Sequence, residues 1–328
     1  MMNALKGVVH YSMCVQYGEG LELSPRYHVG STYPVFILAN YLGEPIQRWT
    51  GFSTAQRFVT QLKSSMSDLT STNERVKRFE KSPSFRDALV LAKYHSDTRQ
   101  YLKAIEYYEK VQTLVTGRRL DYSYQIFTNT ANAVWSDSLS FDTLLNAANY
   151  VLQNRQNVNN IVQTIKILGR ATRKKDRTEE LGRYLRFGLE ITANSKDNKL
   201  KSAHTEFAID TILYVTRDTL AAIRAREFSM GTGWQNDPKR FYRYAAWCLE
   251  RQINLAKAET YARTAADWAE PGAYKAMAYH QLASILDLRK KYDQAVRIMK
   301  LAVEEEPSHA YYAKELQRMK DNLENSLK

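Results

Sequence analysis

Cysteine is nearly missing from this chain of 328 residues: Cys14 and Cys248 are the only two. That excludes a disulfide framework and a zinc site built from four cysteines. No Cys-x-x-Cys occurs. The six histidines, His10, His28, His95, His204, His280 and His309, share no metal-ligand spacing such as His-x-x-x-His. A phosphate-cradling glycine loop and a nucleophile elbow are absent too, so no cofactor is expected. No apolar run approaches the roughly 18 residues of a membrane span, and Met1 to Gly7 lacks the apolar core of a secretory signal. Hydrophobic residues at 44% and charged residues at 25% then exclude the disordered and collagen-like classes.

Proline is scarce as well, and unevenly placed. Three of the seven prolines and six of the 13 glycines fall within residues 1–51, and none of the prolines lies between Pro83 and Pro238. That long interval is rich in Ala, Leu, Gln, Lys and Arg, which lose little on entering a helix. A boundary near residue 70 is therefore expected: residues 1–70 a compact mixed piece, residues 71–328 helix after helix. Charge divides likewise. Residues 1–70 hold five basic and four acidic side chains, leaving +11 of the net +12 for residues 71–328.

In the first piece, Gly7 to Tyr17 reads as a β-prone run ended by Gly18-Glu19-Gly20. A short helix over Leu21 to Tyr27 follows, then Tyr33-Pro34 and the apolar run Val35 to Ala39, short enough for a buried strand. Asn40 to Glu44 is a turn, Pro45 to Thr50 a second strand, and Gly51 breaks it. Ser53 or Thr54 can cap a helix carrying Phe58, Val59, Leu62, Met66 and Leu69 at helical spacing. Ser71-x-x-Glu74 then has the form of a capping box that opens a linker helix with Val76 and Phe79 turned inward.

This order, with Tyr33-Pro34-Val35-Phe36, Leu42-Gly43-Glu44 and Trp49-Thr50-Gly51, resembles the C-terminal half of a thioredoxin-like domain over roughly residues 8–68. The resemblance implies an incomplete α/β thioredoxin-like piece in which Tyr33 and Pro34 form the cis-proline turn that holds an extended peptide. It also implies a disulfide oxidoreductase ancestry, and for a full-length form a place in a bacterial envelope. The family's Cys-x-x-Cys sits at a helix N-terminus, where one thiol is activated and the other resolves the mixed disulfide. Without that pair the chain is expected to be redox-inactive. Either the sequence starts after the missing half or the domain has decayed into a structural cap; the intact turn residues favour the former. Cys14 reads as a small core hydrophobe, because His10 on the same strand face would stand about 13 Å away. Cys248, between Trp247 and Leu249, reads the same way.

The helical remainder is self-similar. Leu282-Ala283-x-x-Leu286, Tyr292, Ala295, Met299, Ala302 and Pro307 form a frame that returns about Ala104 and Ala258, and more loosely about Leu144, Leu181 and Ala221. The anchors are separated by 40, 37, 40, 37 and 37 residues. The pattern resembles the tetratricopeptide (TPR) repeat, whose unit is about 34 residues. It implies an all-α superhelix of TPR-like helical hairpins, closed by a polar helix over Tyr311 to Met319. Each pair buries its apolar stripe only against its neighbours.

Such arrays offer the first helix of each pair to partners, so the resemblance implies a protein–protein interaction scaffold. Carried over repeat by repeat, it points to Lys166, Arg170, Arg173 and Lys174 on one unit, and to Arg240, Arg243, Trp247 and Arg251 on another. Glu206 and Asp210 interrupt this basic stripe. Arginine beside tryptophan suits an acidic peptide or a terminal carboxylate. The plainer reading of these charges is a solvated face that raises the pI. The alternative function is a full-length thiol–disulfide oxidoreductase whose repeats select clients. Nucleic acid is not expected, because no dense Lys/Arg run with glycine or interleaved aromatics occurs.

Overall fold

The computed structural model describes residues 7–15, 18–30, 33–51, 53–114, 120–153, 155 and 157–327. Contacts divide the chain into two compact units, Met1–Ala171 and Thr172–Lys328.

The first unit opens with an extended segment. Gly7 to Tyr17 was expected to be a strand, but residues 8–14 form none; Tyr17, like Ser31 and Thr32 before the Tyr-Pro turn, lies outside the described residues. The physical reason is a missing neighbour: among the described residues the sheet has two strands, β1 (Val35–Ala39) and β2 (Pro45–Thr50), and neither pairs with this segment. Val9 and Tyr11 are exposed in consequence. The segment instead crosses α1 (Glu19–Arg26) at Gly20, where a Cβ would come within 2.0 Å of the Cys14 carbonyl oxygen.

The Tyr33–Pro34 bond is cis. β1 and β2 are antiparallel, with Phe36 opposite Trp49 and Ile37 opposite Arg48. Their turn is built by Asn40, whose Oδ1 accepts from the backbone N–H groups of Leu42 at 3.0 Å and Glu44 at 2.9 Å, with Gly43 at a φ of 75°. On one face of this ribbon Phe36, Trp49 and Phe58 of α2 (Ala55–Met66) pack ring against ring, with centroids 5.1 to 5.8 Å apart. On β2 the alternate residues Ile46 and Arg48 are buried, and β2 contacts α3 (Thr72–Lys81) and α4 (Phe85–Asp97).

The caps behave as their chemistry requires. Thr54 accepts from the Arg57 backbone to start α2, and Ser71 and Glu74 exchange both bonds of a capping box to start α3. Phe79 of α3 then enters a core with Ala88, Leu91, Ala92, Tyr107, Tyr108 and Val111 from α4 and α5 (Tyr101–Leu114). Arg75 and Arg78 of α3 bind Asp68 and Asp87, tying the end of α2 and the start of α4 to one helix.

From α4 onward the chain is helical: α6 (Ser123–Trp135), α7 (Phe141–Gln153), α8 (Val158–Lys174), α9 (Leu181–Thr192), α10 (Asn198–Tyr214), α11 (Thr219–Ser229), α12 (Pro238–Arg251), α13 (Leu255–Trp268), α14 (Ala273–Leu288), α15 (Tyr292–Glu305) and α16 (Ala310–Ser326). Within their units, α4 with α5, α6 with α7, α10 with α11, α12 with α13, and α14 with α15 pack as hairpins. Five of the six anchor residues, Ala104, Leu144, Leu181, Ala258 and Ala295, have no exposed surface, and each stands in the first turn of its helix; α5, α7, α13 and α15 are the second helices of hairpins. The sixth is displaced by one residue: Ala222, not Ala221, is the buried position of α11.

The turns repeat too. After α4, α6, α8, α10, α12 and α14 stands one residue in the left-handed region, Arg99, Asp137, Asp176, Arg217, Gln252 and Lys290, with φ between 52° and 61°. None is glycine, although glycine takes that conformation most cheaply. No helix among the described residues is long and apolar enough to cross a membrane.

Candidate binding site

Two of the basic residues singled out above, Arg173 and Arg251, converge with Trp247 in the second unit at α12. Asp237 caps this helix by accepting from the backbone N–H groups of Lys239 and Arg240, and Pro238 fits its first position. Trp247, Glu250 and Arg251 stand three and four residues apart, on one face of α12. Asp210 and Tyr214 share a face of α10 in the same way.

Arg251 grips Asp210 with a fork. Its Nε lies 2.9 Å from Oδ1, and its Nη2 lies 2.7 Å from Oδ1 and 2.9 Å from Oδ2. Both side chains are nearly buried, at 8% and 12% exposure. Burial pushes Asp210 above the usual carboxylate range, although Arg251 pulls the other way. The Arg251 guanidinium lies 5.3 Å from the centre of the buried Trp247 ring, and that of Arg226 on α11 lies 5.9 Å from it. Burial lowers the Arg226 pKa; Glu206 opposes the shift and Arg251 adds to it.

Arg173 of α8 completes the cluster. Its Nη2 donates to Glu250, whose other oxygen accepts from Arg251 Nη1 at 3.3 Å. Arg173 Nε and Nη1, Arg226 Nε and the Tyr214 hydroxyl are buried with no hydrogen-bond partner in the described structure. An unmet buried donor costs about 1–3 kcal/mol, more on a charged group. Four in one cluster mark a network that a further acceptor would complete.

The remaining candidates lie elsewhere or serve another purpose. Arg240 Nη1 donates to the carbonyls of Met230 at 3.0 Å and Thr232 at 3.4 Å, and its Nε faces Asp237 at 3.2 Å, so it braces the loop before α12. Arg243 and Lys174 are exposed, while Lys166 and Arg170 fall in the first unit. Sequence reasoning missed Arg226, which sits on a second helix, and took Asp210 only as a diluting charge. Tyr33 is half exposed, and it lines a cavity of about 450 Å³ with Pro34, Cys14 and Phe36 in the first unit. Both cysteines are free, and burial pushes the Cys248 thiol up to about 12.

No protein-family model matches the chain, and no curated protein does. Six chains among solved structures match. One is the TPR2AB-domain:pHSP90-complex of yeast Sti1, at 17% identity, covering 73% of this chain and 97% of that chain with a TM-score of 0.26. So low a TM-score carries no fold assignment, and the hairpin architecture rests on this chain's own helices.

Proposed function

We propose that the chain is a protein–protein interaction scaffold of TPR-like hairpins, and that its second unit takes an acidic peptide segment at the Arg173–Arg226–Arg251 cluster. The observation that carries this reading is the state of Arg173. Two of its N–H donors are buried and unmet, and its carboxylate partner Glu250 is 43% exposed. Arg251, by contrast, already has both oxygens of buried Asp210. An incoming carboxylate therefore displaces Glu250 from Arg173, while the Arg251–Asp210 pair and Trp247 stay as a rigid floor. Exposed Arg243 and Lys174 add positive charge to the surface of the second unit.

A fluorescein-labelled peptide ending in several glutamates tests this by anisotropy. Glu250→Gln removes the internal competitor and tightens binding severalfold, and Arg173→Met weakens it at least about tenfold. Arg173→Lys keeps the charge but loses the fork, and falls between. No binding by the parent chain, or equal affinity in all three variants, overturns the reading.

For residues 8–68 we propose a thioredoxin-like piece that serves as structure without exchange chemistry, with Tyr33 and Pro34 as its peptide-facing turn. The order α1, Tyr33–Pro34, β1, β2, α2 supports it. Insulin reduction by the chain, abolished by Cys14→Ser, would restore the oxidoreductase alternative.

A further inference from the structure

A second cavity, of about 310 Å³, lies in the first unit, where β2 faces the end of α4. Arg48, Asp97 and Arg99 bring charge to its wall, with Thr50 and Asn132 as neutral hydrogen-bonding groups. Arg48 is 5% exposed. Its Nη1 donates to the Tyr27 carbonyl and its Nη2 to that of His28 at 3.1 Å, leaving Nε buried and unmet. Arg48 thus has no carboxylate partner within 4 Å among the described residues.

Asp97 is the matching anomaly. Among the described residues its carboxylate has neither a hydrogen bond nor an ion pair. It is also the last residue of α4, where the helix dipole disfavours a negative charge. Burial pushes its carboxyl up to about 6, with Arg48 and Lys93 pulling the other way. Arg48 and Asp97 therefore feel each other across the cavity but do not touch. Arg99 reaches the same wall because residue 30 is glycine: a Cβ there would meet Arg99 Nη2 at 2.6 Å.

An anion alone entering this space would meet Asp97, and a cation alone would meet Arg48 and Arg99. Only a molecule with both charges satisfies both walls, and the volume is at the small end for ligand cavities, about 300–1,000 Å³. We propose that this cavity binds a small zwitterion, a free α-amino acid, with its carboxylate toward Arg48 and Arg99 and its ammonium on Asp97.

Calorimetry on the full chain at pH 7.5 tests this with glycine and L-alanine as probes, and with acetate and methylammonium as the two halves alone. The zwitterions are expected to bind saturably and each half at least about tenfold more weakly. Asp97→Asn removes a poorly solvated charge and so keeps the fold. It should weaken L-alanine at least about tenfold and make acetate the better ligand. Gly30→Ala, which displaces Arg99 without touching Asp97, should weaken L-alanine. No saturable binding of either zwitterion, acetate binding as well as L-alanine to the parent chain, or an L-alanine affinity unchanged by Asp97→Asn each overturns the assignment.

Discussion

Arg75 Nη1 of α3 and Asp87 Oδ1 of α4 meet at 2.6 Å, with side-chain exposures of 2% and 3%. Arg75 also reaches Asp68 at 2.9 Å, and Arg78 reaches both acids from the solvent side. Asp87→Ala removes a buried acceptor from both arginines at once. It should destabilise the first unit by about 3–5 kcal/mol, the range for breaking a buried pair. Arg78→Met should cost less, because Arg78 is 42% exposed and Arg75 keeps both acids. Urea denaturation of the two variants checks the order. Equal losses would mean that burial at Arg75 does not matter.

Asp97 gives a pH signature of unusual sign. Between about pH 4 and pH 6 the folded chain holds a proton on Asp97 that the unfolded chain has released, so this group makes the protein more stable as pH falls. Burial holds His95 and His280 below their ordinary value, and they act the opposite way, losing stability as pH falls through about 6.5. The two effects overlap, so the readout is the difference between the parent chain and Asp97→Asn. From pH 7 to pH 4.5 the parent should gain on the order of 2 kcal/mol relative to the variant. A flat difference would place Asp97 in water.

The left-handed turn residues predict gains. A side chain in that region costs about 1–2 kcal/mol that glycine does not incur, partly offset by glycine's freer unfolded chain. Arg217→Gly and Lys290→Gly should each raise stability by about 0.5 kcal/mol, measured as a shift in urea midpoint. A loss would show that the side chain's cation at the helix C-terminus outweighs the backbone term.

The two thiols should separate by accessibility. Cys14 is half-buried, whereas Cys248 is fully buried with its thiol pushed up to about 12. Ellman's reagent at pH 8 should titrate one equivalent in the folded chain and two in guanidinium. Rapid reaction of both would contradict the packing of α12.

Much of the architecture was legible because it is written in local chemistry. The Ser71–Glu74 box, the Thr54 cap and the Asn40–Glu44 turn need only their own few residues. The hairpin frame survives because small residues must stand where paired helices touch. The first expected strand failed for a non-local reason, since a strand exists only in its partner's hydrogen bonds. The turns escaped a reading based on glycine, because Arg99, Arg217 and Lys290 occupy the left-handed positions. Of the candidate site, Arg173, Trp247 and Arg251 were visible as a basic stripe. The Asp210–Arg251 fork joins residues 41 apart in sequence, and no pattern of charges along the chain reports that distance.

One missing atom governs how the chain's leading segment is fastened. The Cys14 carbonyl occupies the place a side chain would take at Gly20. Position 20 is thus a keyhole: an alanine there would evict the strap above it and leave the sheet and the hairpins intact. A change as small as one methyl group could then free residues 8–15 to be cut by a protease, while every helix downstream stayed folded.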